Sequence, residues 1–166
     1  MAAPDSGTGG DIATTIRRGT FQDLDALVAL DDIARTSEQR RERIRQGLTD
    51  RAISVACADR TPKGYAMTND SFFGHAFIEL VYVHADHRRR GIGLALMRHI
   101  LDNANGSKLF TSTNRSNTAM QALLARLGFE ASGIIDNLDP GDPELVFVKR
   151  LDRPGHSTPP TRTIQP

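Results

Sequence analysis

The chain reads as a single-domain α/β protein built on one mixed sheet flanked by helices. Two features of segment order predict this. Strand-like stretches between residues 52 and 84 follow one another through short turns, which makes the first half antiparallel, and beyond residue 84 strand and helix patterns alternate. A length of 166 residues agrees, because at about 150 residues folding buries roughly 68–70% of the unfolded chain's surface, enough for one real core.

Each element follows from its local pattern. Ile12 to Arg17 reads as a short strand. Thr20-Phe-Gln-Asp23 has the form of a capping box and opens a helix with Leu24, Leu27 and Val28 on one face. A more polar helix is expected from Ser37 to Leu48, with Ile44 and Leu48 facing inward; so weak an apolar face predicts an adjustable position. Ala52 to Ala58 alternates Ile53, Val55 and Cys57 with small residues, and Lys63 to Thr68 forms a second strand after a turn. Asn69-Asp70-Ser71 is expected to turn the chain into its most apolar stretch, His75 to His84, a central strand. A basic turn, a helix from Gly91 to Asn103 with Ile92, Leu96 and Ile100 inward, and a strand at Lys108 to Thr113 follow. A helix from Asn117 to Leu127 closed by Gly128 precedes strands near Phe129 to Ile135 and Leu145 to Leu151. Residues 1–11 are small and polar and residues 152–166 are proline-rich without apolar period, so both are predicted to be disordered tails of a domain spanning 12–151.

Charge and cysteine usage narrow the function classes. With 21 Lys and Arg against 20 Asp and Glu, no global field is present to hold a nucleic acid or an anionic membrane. The lone Cys57 excludes an internal disulfide framework and a multi-cysteine zinc site, and it suits a reducing compartment. No apolar run approaches 18 residues and the first residues lack a signal-like pattern, so a soluble, cytoplasmic protein is expected, with no membrane or nucleic-acid partner and no metal.

The segment richest in chemistry is Val83-His-Ala-Asp-His-Arg88-Arg89-Arg90-Gly91-Ile92-Gly93-Leu94-Ala95. A strand running through a glycine-bearing loop into a helix points several backbone N–H groups outward at the positive end of the helix dipole. Gly91 and Gly93 let an anion approach the backbone, and the three arginines supply charge for a diphosphate or a ribose phosphate. The plain alternative is a solvated basic turn that starts a helix. No Lys-Ser/Thr pair follows the glycines and the third glycine of the dinucleotide fingerprint is missing, which sets aside nucleoside triphosphates and NAD.

Arg88-Arg-Arg-Gly91-Ile-Gly93, preceded by the strand Leu80-Val-Tyr-Val83, resembles the acetyl-CoA loop of the GCN5-related N-acetyltransferases (GNAT). Asn117-Thr-Ala-Met-Gln-Ala-Leu-Leu-Ala-Arg-Leu-Gly128-Phe129 resembles that family's Asn-led helix, and the order of elements agrees over essentially the whole domain. The resemblance implies a parallel pair of strands splayed at the sheet's centre, with acetyl-CoA as co-substrate. Its pantetheine would bond the backbone of Val81, Tyr82 and Val83, and its diphosphate would sit on the amides of Arg89 to Leu94. The implied binding set is therefore Val81, Tyr82, Val83, Arg88, Arg89, Arg90, Gly91, Ile92, Gly93, Leu94 and Asn117, with Asn117 near the pantetheine or thioester, or serving as a helix cap. Arg126 would reach the nucleotide phosphate. Dimers are common in the family, so a homodimer is compatible with the resemblance.

The implied reaction is direct attack of a primary amine on the thioester. Such an amine is mostly protonated at neutral pH, so a base is required. Glu79 is the candidate, on one strand face with Phe77, Val81 and Val83 in otherwise apolar surroundings; the alternative is a structural carboxylate paired with a cation, and His75 and His84 stand in reserve. The position where many members carry a tyrosine acid is Leu124 here, which leaves Tyr82, a water or no acid. The resemblance locates acceptor specificity in the first two helices, with Asp31, Asp32 and Glu38 on their connection, and in the loop bearing Asp136, Asp139, Asp142 and Glu144. Those four acids would draw a cationic amine or form an ordinary solvated turn. Two functions of different class follow: an acetyl-CoA-dependent N-acetyltransferase, or a non-enzymatic acyl-CoA-binding regulatory module that has lost its acid. Nucleic-acid binding through the three arginines is poorly supported, for no aromatic surface accompanies them.

Overall fold

The computed structural model of the protein describes residues 14–151; the expected tails, 1–11 and 152–166, lie outside the described residues. Strand β1 (Thr15–Arg18) leads through a 3-10 turn (Phe21–Asp23) to helices α1 (Leu24–Leu30), α2 (Asp32–Thr36) and α3 (Glu38–Thr49). Strands β2 (Ile53–Ala58), β3 (Thr61–Phe72) and β4 (His75–Val83) follow, then a second 3-10 turn (Ala85–His87), α4 (Ile92–Asn103), β5 (Lys108–Asn114), α5 (Thr118–Arg126), β6 (Glu130–Ile135) and β7 (Glu144–Arg150). The strands form one mixed α/β sheet in the order β1-β2-β3-β4-β5-β7-β6. β1, β2 and β3 are antiparallel neighbours, β4 and β5 run parallel, and β7 is antiparallel to both β5 and β6.

Two features depart from the sequence reading. The expected turn at Asn69-Asp70-Ser71 is strand: Asn69 Oδ1 accepts from Ser71 N at 3.0 Å and from Ser71 Oγ at 2.7 Å, so the turn-forming side chain bonds its neighbour on the extended chain. The reversal falls instead at Phe73-Gly74, both in the left-handed region (φ 53° and 74°), the geometry that matches the twist of a two-residue hairpin. The second departure is α2, whose five residues are too few to show a helical period. Asp31 creates it by capping, accepting from Ile33 N at 2.9 Å and Ala34 N at 3.2 Å.

Inter-residue contacts divide the chain into two units. The first, residues 14–68 and 79–102 of the described chain, has a core of Leu27, Ile44, Ile53, Val55, Tyr65 and Met67 with partly buried Leu24 and Val28 against it. Helix α3 is capped by Ser37 and turns Ile44, Gly47 and Leu48 inward. A Cβ on Gly47 would stand 3.0 Å from Ile53 and 3.2 Å from Met67, so glycine lets the helix backbone approach the strands. In α4 the predicted Ile92, Leu96 and Ile100 are buried, with Met97. The second unit, residues 69–78 and 103–151 of the described chain, contains the parallel ladder, Ala76–Ile78 against Leu109–Thr111, fixed by Thr111 Oγ1 donating to Ile78 O at 3.0 Å. Strand β5 alternates buried Leu109, Thr111 and Thr113 with half-buried neighbours, as period two requires. Helix α5 buries Leu124 and ends at Gly128 (φ 73°).

At the start of the first unit, Arg17 donates two bonds to Asp23 (2.8 and 2.6 Å) while Asp23 also accepts from Thr20 N at 2.8 Å, the reciprocal half of the predicted capping box. The Arg17 guanidinium holds the Asp23 carboxyl at about 2, below its ordinary 3.8. Because the folded value is depressed, this stabilisation is complete above about pH 4 and is lost as pH falls towards 2. Asp23→Asn is therefore expected to lower stability at pH 7 by about 2 kcal/mol and to narrow the gap between urea midpoints measured at pH 7 and pH 2.5; an unchanged gap would show that Asp23 contributes none of the acid sensitivity.

Candidate active site

The end of β4 and the loop after it form a backbone cradle in the first unit. His84 N donates to Lys63 O at 3.2 Å, and a Cβ on Gly64 would stand 2.7 Å from Tyr82 O; glycine at 64 is what lets β3 lie this close to β4. Arg88 Nε donates back to Val83 O at 3.1 Å, so this arginine braces the loop against the strand. Arg89 (φ 63°) and Gly91 (φ 79°) are both left-handed, and alternation of such residues with ordinary ones turns consecutive amides into an anion-binding nest. The first bond from helix to loop is Ala95 N to Gly91 O at 2.9 Å, so the amides of Ile92, Gly93 and Leu94 precede the helical ladder, at the positive end of a twelve-residue helix. No atom comes within 4 Å of a Cβ built on Gly91. Arg88, Arg89 and Arg90 are exposed. Partial burial and the neighbouring cations Lys63 and Arg90 push the His87 imidazole below its ordinary pKa, and these cations with Arg88 and Arg89 make a basic patch on a chain that is nearly neutral overall.

The side chains of β4 are tied to the first three helices. Glu79 is ion-paired with Arg43 of α3, which supplies the cation of the structural alternative. The Tyr82 hydroxyl accepts from Asp32 N at 3.1 Å and donates to Asp32 Oδ2 at 3.2 Å; burial pushes the phenol's pKa up. Asp31, fully buried, accepts from Tyr65 Oη at 2.5 Å on the oxygen that lies 3.4 Å from Arg40 Nε, and burial raises the pKa of Tyr65 as well. His84 accepts from Asp86 N at 3.4 Å through Nδ1 and serves as a turn cap. Sequence reasoning gave no role to Arg40, Arg43 or Tyr65. The acid pair Asp31-Asp32 was the visible signal, but partners 34 and 50 residues away in sequence leave no local pattern.

In the second unit, His75 packs its ring 5.5 Å from Phe110, Asn117 caps α5 by accepting from Met120 N at 3.1 Å, Leu124 is fully buried and Arg126 is exposed. Two of the four loop acids are used internally. Asp139 accepts from Asn114 Nδ2 at 2.8 Å, and Asp142 accepts from Ser116 N at 2.9 Å and Ser116 Oγ at 2.6 Å, bonds that hold its carboxyl below the ordinary range. No group of three or more metal-ligating side chains occurs among the described residues, and no described helix is long and apolar enough to cross a membrane.

The sequence model of the acetyltransferase (GNAT) family matches residues 21–129, a span that contains the cradle, Glu79 and α5. The chain belongs to the GNAT acetyltransferase family. A GNAT acetyltransferase from Bacillus cereus is 31% identical, with a TM-score of 0.79 over 85% of this chain and 99% of its own. The ribosomal-protein-S18-alanine N-acetyltransferase of Escherichia coli (21% identity, TM-score 0.76, 88% of this chain and 99% of its own) shares the fold. So does the YncA protein of Salmonella typhimurium, solved with its cofactor acetyl-CoA (22%, 0.73, 90% and 99%). No curated protein sequence matches. In this GNAT acetyltransferase the two tyrosine bonds should differ in strength. Tyr65→Phe leaves a buried carboxylate short of a donor and is expected to cost about 1–3 kcal/mol, whereas Tyr82→Phe faces the half-exposed Asp32 and should cost less. Chemical denaturation of both variants decides, and an equal or reversed order would remove Asp31 as the anchor.

Proposed function

We propose that the protein is an N-acetyltransferase that moves the acetyl group of acetyl-CoA to a primary amine, in a cytoplasmic setting to which a single buried cysteine is suited. The observation that carries this reading is the cradle of left-handed Arg89 and Gly91 ahead of the first amides of α4. Its residues fit the co-substrate: amides of residues 89–94 face a diphosphate, Gly91 leaves the approach open, and Arg89 and Arg90 add charge. Val81, Tyr82 and Val83 lie beyond the three-residue parallel ladder of β4, which supports assigning their backbone groups to pantetheine.

Glu79, two residues before that stretch, is assigned as the base. Deprotonating an ammonium of ordinary pKa at pH 7 costs about 4–5 kcal/mol, and the carboxylate takes that proton directly or through one water. The freed nitrogen lone pair forms the C–N bond at the thioester carbonyl as the C–S pair leaves with sulfur. The second nitrogen proton passes through water to the thiolate, giving amide and CoA thiol. Tyr82, whose hydroxyl proton is committed to Asp32, is assigned to positioning and the backbone contact; a buried leucine at 124 donates nothing.

Release of CoA thiol from acetyl-CoA over a panel of aminoglycosides, polyamines, amino acids and peptide N-termini tests the reaction against a no-amine blank. Turnover with at least one amine is expected. Stabilisation by CoA with silence across the panel would favour the non-enzymatic binding module. Glu79→Gln is expected to lower kcat about a hundredfold or more with acetyl-CoA affinity nearly unchanged, and equal turnover would remove Glu79 from the mechanism. Gly91→Asp, which sets a carboxylate where phosphate sits, should weaken acetyl-CoA binding at least tenfold more than the isosteric Gly91→Asn; equal losses would leave backbone strain, not charge, as the cause.

A further inference from the structure

The arginines of α3 are disposed unequally. Arg41 and Arg45 pair with Glu38 and Glu42, three residues earlier on the same helix (3.1 and 3.6 Å), and Arg40 lies beside the buried Asp31. Arg43 instead reaches off the helix to the Glu79 carboxylate on β4. Its side chain is 51% exposed while that of Glu79 is 24% exposed, so the cation stands on the solvent side of an acid that is largely shielded. A carboxylate oxygen that accepts from a guanidinium is unavailable, at that oxygen, for a substrate proton. Ion pairs with one partner this exposed contribute little to stability, and α3 has independent anchors in Ile44, Gly47 and Leu48. The guanidinium can therefore leave without the helix leaving.

We propose that Arg43 is an internal competitor for the acceptor: it holds Glu79 in the free enzyme, and the substrate enters by exchanging its own ammonium for the guanidinium at that carboxylate. This rests on the reading of Glu79 as the base. The exchange defines a substrate class. An acceptor arriving as a protonated primary amine, with compact charge and three donors, replaces the cation like for like, whereas a neutral or anionic nucleophile brings no positive charge to take the guanidinium's place. Arg43 thereby sets specificity by raising the concentration a weakly cationic acceptor needs, and it keeps the base neutralised between turnovers.

The test is steady-state kinetics of the full chain with the best amine from the panel, comparing wild type, Arg43→Ala, Arg43→Lys, Glu79→Gln and the Arg43→Ala/Glu79→Gln double variant. Arg43→Ala is expected to lower the acceptor KM two- to tenfold without lowering kcat and with the acetyl-CoA KM held within twofold. Arg43→Lys, which keeps a cation, should stay near wild type, and the KM effect should vanish in the Glu79→Gln background. Methylguanidinium gives a second readout: it should inhibit Arg43→Ala competitively against the amine and wild type several-fold less. An unchanged or raised acceptor KM in a folded Arg43→Ala, or no difference in methylguanidinium inhibition, would overturn the proposal while leaving the base intact if Glu79→Gln is slow. Full turnover by Glu79→Gln, or silence of the whole panel, would withdraw the base assignment and the proposal with it.

Discussion

A single buried carboxylate organises the first half of the molecule. Asp31 is fully excluded from solvent, where an unpaired charge would be far too costly to keep, so its partners have to be supplied from the fold. Two amides of α2, the Tyr65 hydroxyl of β3 and the nearby guanidinium of Arg40 do so. Meeting that requirement ties α2 to β3 and brings α3 alongside. The apolar contacts of Ile44 and Leu48 then close over a geometry that the charge has already restricted, so the polar helix α3 is less adjustable than its thin apolar face implies.

The candidate site inherits this constraint. Once the turn before α2 is fixed, Asp32 N and its carboxylate meet Tyr82, and one turn after Arg40 on α3 comes Arg43, opposite Glu79. The two β4 residues thus take their partners from the same clamp, although the bonds differ: Tyr82 is held by a hydroxyl bonded on both sides, Glu79 by a partly exposed ion pair. A change of partner is easier at the second, because exchanging one cation for another beside a partly exposed ion pair costs less than exposing a buried phenol.

What was legible in the sequence was whatever repeats or has a fixed local spacing. Leu96 and Ile100 of α4, the alternation of β5 and the caps at Thr20, Ser37 and Asn117 all follow from residues a few positions apart. The glycine loop could be read for the same reason, since a nest is a property of consecutive residues. Long-range pairing was not legible. Nothing near residue 31 distinguishes the buried Asp31 from the exposed Asp32, and Arg43 looks like any other arginine on a charged helix until α3 meets β4. The misplaced hairpin has the same origin: Asn69-Asp70-Ser71 carries the better turn chemistry, but the pairing of β3 with β4 sets where the chain reverses, and Phe73 accepts a left-handed conformation to satisfy it.

The leucine at position 124 bears on how the reaction is balanced. In the second unit it is core, fully buried, with its carbonyl accepting from Leu127 N and Phe129 N, so this position offers no acid, and in the proposed reaction the thiolate takes its proton through water. A thiolate whose parent pKa is near 8.5 is a far better leaving group than an amine, and at neutral pH its reprotonation needs no preorganised donor. The amine's proton is the harder problem, larger by the several kcal/mol that separate an ammonium from neutral pH. On the proposed reading, the carboxylate of Glu79 on β4 therefore serves the step that needs help more. Under the proposed exchange, the Arg43 guanidinium paired with that carboxylate is where substrate choice is exercised.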